Sequence, residues 1–88
     1  LFNAAIDIQF RTNNTIKMSI SNAGKVGIGN SSPSAFLHLL AGTATANTAP
    51  LKLTSGTNLT TPEDGAMEFD GTNLYFTVGG VRKTVTLV

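Results

Sequence analysis

His38 is the only histidine in the chain, and it is the side chain best suited to acid–base or metal chemistry. A nucleophile–base pair would need an activated serine beside it, and a metal site would need further ligands at suitable spacing. One His38 from each chain of a threefold assembly would also form a ring of imidazoles around an ion. The simpler interpretation, which we favour, is a packed or surface histidine on a strand.

The carboxylates offer little catalytic chemistry. The paired carboxylates of a glycosidase lie roughly 5–10 Å apart in a cleft, whereas Glu63 and Asp64 are sequence neighbours in a turn. Asp70 precedes Gly71, so a role in a hairpin turn is its simplest use. We therefore predict that the chain is not an enzyme and needs no cofactor or metal. The full set is Asp7, Glu63, Asp64, Glu68 and Asp70.

Composition narrows the class of partner. The 88 residues carry a net charge of +1 with 12% charged residues, which argues against nucleic acid and acidic membranes because both select a basic patch. No apolar run approaches the ~20 residues that span a bilayer, so we expect no membrane insertion. The absence of cysteine excludes disulfides and thiolate metal sites.

Polarity comes mainly from uncharged side chains, with 13 threonines, eight asparagines and six serines. This composition is typical of solvent-exposed β structure. Large apolar residues are few, and small scaffolds with modest cores commonly add disulfides, metals or oligomerisation. Since the first is excluded and the second is poorly supported, we expect a homo-oligomer.

The N-terminal part predicts a β-hairpin. Residues 5–10 and 15–20 each alternate apolar and polar side chains, and Asn13-Asn14 between them tolerates positive φ. The alternation places one set of side chains on a common face: Ile6, Ile8, Phe10, Ile16, Met18 and Ile20.

The segment 24–39, GKVGIGNSSPSAFLHL, organises the chain. Val26 and Ile28 alternate with Gly27 and Gly29, so one strand face is apolar and the other lacks side chains, which allows another backbone to approach closely. Pro33 then stops the strand. We predict a strand, a forced corner and a second strand, rather than a helix over 34–40.

The middle of the chain, 41–65, is an extended low-complexity connection. Residues 42–49 fit a flexible loop or a segment lying against a neighbouring chain, and both interpretations stay open. Residues 50–54 predict a short strand, and Pro62 with Gly65 predicts a type I turn.

The C-terminal part, 66–88, predicts a three-stranded meander. Asp70-Gly71 and Gly79-Gly80 each separate apolar runs, and both dipeptides are strong hairpin signals. The chain thus divides into 1–40 (hairpin plus the corner segment), 41–65 and 66–88.

The segment 26–39 resembles the "VGIGTTSPSAKLHV" segment of phage tail-fibre and tail-spike-like proteins and of related repetitive surface proteins of phage and bacterial origin. The similarity continues through 41–46, 49–52, 59–66 and 68–76, and covers roughly 24–86. Asn30 and Ser31 replace two threonines that are frequent in the family, and Phe36 replaces a frequent lysine.

The resemblance implies an all-β fold of short antiparallel hairpins and meanders in an intertwined homotrimeric fibre. It implies a structural role in host attachment, a virion location, and contacts with other fibre or tail proteins. Apolar faces would meet the axis or a neighbour, and Thr/Asn faces would meet water. We expect two residue sets: core or interface at Val26, Ile28, Phe36, Leu37, Leu39, Phe69, Leu74 and Phe76, and turns at Gly27, Gly29, Pro33, Asp70, Gly71, Gly79 and Gly80.

Two other functions stay open. One is a bacterial surface filament or adhesin module at the cell surface, which pairing of the C-terminal strand with another subunit would favour. The other is a fragment of a glycan-depolymerising spike, which cleavage of glycan by the isolated chain would support. Loops at Asn13-Asn14 and Thr72-Asn73 are candidate contacts with a host surface glycan or protein.

Overall fold

A computed structural model describes residues 7–88. The predicted strand start at Ala5 and the facing of Ile6 lie outside the described residues. The described part is all-β, with seven strands in two sheets and no helix between residues 7 and 88. Two compact units contain these sheets, Leu1–Leu51 and Lys52–Val88. The boundary between the units thus falls inside the 41–65 connection.

The first unit holds a four-stranded sheet in the order β1-β2-β3-β4. Its strands are β1 Ile8–Thr12, β2 Thr15–Ile20, β3 Val26–Ile28 and β4 Leu37–Leu39. The two-residue turn between β1 and β2 has φ values of 51° at Asn13 and 58° at Asn14, as a type I′ hairpin requires. The predicted hairpin is therefore confirmed over the described residues.

The strand–corner–strand prediction for the glycine-rich segment is confirmed, but the two strands pair in parallel. Parallel strands commonly need connections of about a dozen residues or more, whereas residues 29–36 suffice here. The connection is short because it turns directly over one face of its own sheet at Gly27, where no Cβ occupies the space. Gly27, which we grouped with the turn residues, lies inside β3.

The second unit holds the predicted meander, β5-β6-β7. Its strands are β5 Met67–Phe69, β6 Leu74–Val78 and β7 Val81–Thr84, all antiparallel. Both hairpin signals are confirmed, since Gly71 has a φ of 96° and Gly79 and Gly80 have φ values of 60° and 76°.

Two local predictions are wrong. Residues 50–54 form no strand, because no neighbouring segment pairs with them and an isolated extended run has no ladder. The turn near Pro62 is closed by the Ala66 amide donating to the Glu63 carbonyl at 3.0 Å. Gly65 is its third residue with a φ of 81°, which is type II geometry rather than type I.

Candidate functional site

The first sheet gathers eight apolar side chains on one face. Residues paired across neighbouring strands point to the same side of a sheet, and the register aligns two rows of four: Ile8–Ile20–Val26–Leu37 and Phe10–Met18–Ile28–Leu39. We call these eight the first apolar face. None of them is buried, and Leu37, Phe10 and Ile28 are 60%, 46% and 40% exposed.

The second sheet repeats this arrangement. Its register brings Met67 opposite Phe76, Phe69 opposite Leu74, and Val78 opposite Val81. These six residues are the second apolar face, and Lys83 adjoins it by pairing with Phe76. Met67, Val78 and Val81 are each at least half exposed. Among residues 7–88, no apolar side chain is buried in the chain itself.

The polar face of the first sheet is covered by the chain's own connection between β3 and β4. Ser19 is 2% exposed and its hydroxyl donates to the Asn30 carbonyl at 2.9 Å. A Cβ on Gly27 would overlap that same carbonyl oxygen. The side-chain nitrogen Nδ2 of Asn30 lies 3.3 Å from both ring nitrogens of His38. Our expectation that the polar faces would meet water is therefore wrong at Ser19.

The imidazole of His38 contacts Ser34 in the connection between β3 and β4. The Ser34 backbone N–H donates to His38 Nδ1 at 3.0 Å, so in the neutral ring the proton belongs on Nε2. The Ser34 hydroxyl lies 3.4 Å from the same nitrogen, where it faces an acceptor already occupied by a backbone donor. The imidazole thus helps to hold the corner after Pro33 against the sheet.

The polar face of the second sheet is covered in the same way, by the segment before β5. Glu68 accepts the Leu59 backbone N–H at 2.6 Å and pairs with Arg82 Nε at 2.9 Å. Arg82 also donates to the Leu59 carbonyl. The Leu59 N–H, followed by the Arg82 guanidinium, holds the pKa of Glu68 below its ordinary value.

Further contacts hold the same segment. The Gly80 N–H donates to Asp64 at 2.6 Å, and the Gly65 N–H donates to the Thr77 carbonyl at 2.9 Å. Thr77 is 1% exposed. The prediction that the polar face would contact water is therefore wrong at Thr77 as well. The Thr77 hydroxyl and the Asn58 side-chain oxygen are buried without a partner in the described part of the chain.

Asp70 serves the β5–β6 turn, as its sequence position predicts. One carboxylate oxygen accepts the N–H groups of Asn73 and Thr72 at 2.9 and 2.8 Å, and the other accepts the Tyr75 hydroxyl at 2.9 Å. These donors, the Asn73 N–H foremost, lower the pKa of Asp70. The carboxylates of Asp64, Glu68 and Asp70 all bind backbone amides rather than converge on a cleft.

Of the eight expected core or interface residues, seven belong to the two apolar faces. Phe36 is the exception, since it precedes β4 and is 79% exposed. None of the eight is buried within the chain. The candidate contact loops lie in exposed turns, Asn13-Asn14 in the first unit and Thr72-Asn73 in the second.

Sequence reasoning missed the roles of Ser19, Asn30 and Thr77 beneath the covering segments. Gly27 carried the available signal, because a glycine between two β-branched strand residues marks a close backbone approach. It did not identify Asn30 as the approaching residue. No comparable signal marked Thr77.

Residues 7–88 contain no cluster of three or more histidine, aspartate or glutamate side chains arranged to hold a metal ion. Over the same residues, no helix has the length and apolarity needed to cross a membrane. Comparison with protein-family models, with curated proteins and with solved structures gave no match.

Proposed function

We propose that this chain is a structural segment of a phage tail fibre or spike, acting in host attachment through a rigid homotrimeric β assembly. Two lines of support meet here. The segment 26–39 resembles a fibre-associated sequence, and the two sheets direct fourteen apolar side chains away from their own covering segments.

The observation that carries the proposal is the pairing of covered polar faces with uncovered apolar ones. Ser19 and Thr77 are the buried polar residues, while no apolar side chain in 7–88 is buried. An isolated soluble domain would ordinarily place its apolar side chains inside. The described residues therefore favour burial of these faces against other chains.

The energetics favour more than one contact per chain. Covering a half-exposed aliphatic or aromatic side chain yields about 1 kcal/mol. Phe10, Ile28 and Leu37 of the first apolar face are exposed to about that extent, so they supply about 3 kcal/mol together, and the five partly buried members supply less each. Association costs about 4–15 kcal/mol in lost freedom, which makes a single face marginal. A trimer in which each chain contacts two neighbours uses both faces.

Native mass spectrometry of the isolated chain tests the proposal. We expect a species of three times 9.1 kDa that persists on dilution and whose melting temperature rises with protein concentration. A folded single chain in dilute solution, with β-rich circular dichroism, would contradict it.

A bacterial surface filament or adhesin module is the second candidate, because β7 is an edge strand of its sheet. The edge presents backbone groups to which a strand of another subunit can add. A filament would give masses that grow with concentration, whereas a closed fibre segment gives one mass. Electron microscopy of the assembled chain separates open filaments from particles of fixed length.

A further inference from the structure

The ring of His38 is a hydrogen-bond acceptor for the corner, the five residues 31–35 between β3 and β4. The Ser34 backbone N–H donates to His38 Nδ1 at 3.0 Å. A backbone N–H can only donate, so Nδ1 must offer its lone pair to it. This bond therefore exists only while Nδ1 carries no proton. The ring is half-buried, so protons can reach it from solvent.

The second polar group against the ring also suits a neutral imidazole. Asn30 Nδ2 lies 3.3 Å from both ring nitrogens, while Asn30 Oδ1 accepts the Ser32 N–H at 2.9 Å. The side-chain oxygen of Asn30 is thus occupied, and its nitrogen, which can only donate, faces the imidazole. Donors therefore face His38 from both Asn30 and Ser34.

The charged groups around His38 supply no counter-ion for an imidazolium. In the part of the chain that the structure describes, no carboxylate is paired with the ring. Lys17 of β2 and Lys25 before β3 are cations, and Asp7 precedes β1 at the far edge of the sheet. The corner and β4 contain no other titratable residue. The register aligns His38 with three uncharged residues, Gly27, Ser19 and Gln9.

We propose that His38 makes this corner pH-sensitive: the neutral ring holds it against the sheet, and protonation of Nδ1 releases it. Imidazole is the side chain that ordinarily changes charge between about pH 5 and 8. The N–H formed at Nδ1 points at the Ser34 N–H, and two donors make no bond. The Ser34 hydroxyl, 3.4 Å away, can turn its oxygen toward the new N–H, but the Ser34 backbone N–H has then lost its acceptor.

The release is confined to the corner. Two backbone bonds that do not involve the ring fasten β4 to β3: the Val26 N–H donates to the Phe36 carbonyl at 2.8 Å, and the Leu40 N–H donates to the Ile28 carbonyl at 2.9 Å. We therefore expect the strand pair to persist while residues 31–35 leave the face of the sheet. All of these contacts lie within one chain, so the inference does not depend on the proposed function.

Nuclear magnetic resonance of the isotope-labelled chain tests the proposal. The scalar coupling across the hydrogen bond from the Ser34 amide nitrogen to His38 Nδ1 should be present at about pH 8 and absent at about pH 5. Between these values the Ser34 amide should lose about tenfold of its protection against hydrogen exchange, relative to the intrinsic rate at each pH. The midpoint should coincide with the titration of the His38 ring protons.

Two variants and two reference amides isolate the cause. His38→Asn keeps an acceptor that does not titrate, because its Oδ1 occupies the place of Nδ1, so the protection of the Ser34 amide should not change with pH. Ser34→Ala removes the hydroxyl but keeps the backbone N–H, so it should retain the wild-type pH dependence. The amides of Val26 and Gly65, which donate to the carbonyls of Phe36 and Thr77, should stay protected throughout.

Three results would overturn the proposal. The first is a Ser34 amide that stays protected while the His38 ring is charged. The second is a pH dependence that persists in His38→Asn, and the third is a joint loss of protection at Val26, which reports separation of the strands. If His38→Asn does not fold, the wild-type titration decides the question alone. Glu68 and Asp70 do not enter this range, because their contribution declines only below about pH 4.5.

Discussion

Glu68 joins three segments of the second unit through one carboxylate. It pairs with Arg82 of β7 at 2.9 Å and accepts the Leu59 N–H at 2.6 Å. Charge-assisted bonds of this kind are stronger than neutral ones, and here they fasten the covering segment to the sheet. At the scale of the residue, charge is thus used for positioning.

The lowered pKa values of Glu68 and Asp70 predict acid sensitivity. A carboxyl whose folded pKa is lowered contributes full stability above its unfolded value, and that contribution is lost as the pH falls toward the folded pKa. The ordinary values are 4.5 for Glu68 and 3.8 for Asp70. We expect the free energy of unfolding to decline below about pH 4.5, measured by urea titration at several pH values.

Glu68→Gln should lower stability at neutral pH and remove part of this decline, leaving the part due to Asp70. Glu63→Gln, at an exposed turn residue, is the control and should leave the profile unchanged. Identical profiles for wild type and Glu68→Gln would contradict the assigned role of the carboxylate.

The β3–β4 element shows how a missing side chain shapes a connection. Because Gly27 has no Cβ, the backbone carbonyl of Asn30 can lie directly over it. The Ser19 hydroxyl donates to that same carbonyl at 2.9 Å. The short loop thereby satisfies its polar groups on its own sheet, which permits a parallel pair without a helix.

Gly27→Ala should destabilise the first unit by about 1–3 kcal/mol, in the range of overpacked cores. The added Cβ overlaps the Asn30 carbonyl and would lie 3.2 Å from the Ser19 hydroxyl, so the covering loop must move. Chemical unfolding monitored by circular dichroism measures the loss.

Gly56→Ala is the control for that substitution, because a Cβ there meets its nearest atom at an ordinary 3.8 Å. It should change stability by less than about 0.5 kcal/mol. Equal losses for the two variants would show that the approach of Asn30 to Gly27 is not a constraint.

At the scale of the whole molecule, both units follow one plan. Each sheet has a polar face covered by a neighbouring segment of its own chain and an apolar face whose side chains are exposed or only partly buried. The repetition of this plan in two sheets of different topology favours a common role for the two apolar faces, which under the proposed function is contact between copies.

Ile28→Lys places a charge on the first apolar face. Burial of an unpaired ammonium costs several kcal/mol, so we expect the assembly to dissociate to single chains by native mass spectrometry. Asn22→Lys, in an exposed turn, is the control and should assemble with the same number of chains as the wild type. An assembly unaffected by Ile28→Lys would exclude this face from the interface.

Strand positions and hairpin turns followed from the sequence because they depend on neighbours along the chain. The alternation in 15–20, the Asn13-Asn14 pair and the Asp70-Gly71 and Gly79-Gly80 dipeptides each act within a few residues. The wrong strand at 50–54 illustrates the limit, since a strand also needs a partner that local pattern does not provide.

The sequence by itself determined which residues alternate between apolar and polar and where the chain turns. It also showed that charged residues are few and that cysteine is absent. Only the tertiary structure decided that β3 and β4 pair in parallel, that Asn30 and Leu59 cover the polar faces, and that the apolar faces stay open. The physical reason is range: turns obey local dihedral preferences, whereas the covering of a face depends on contacts between residues far apart in the chain.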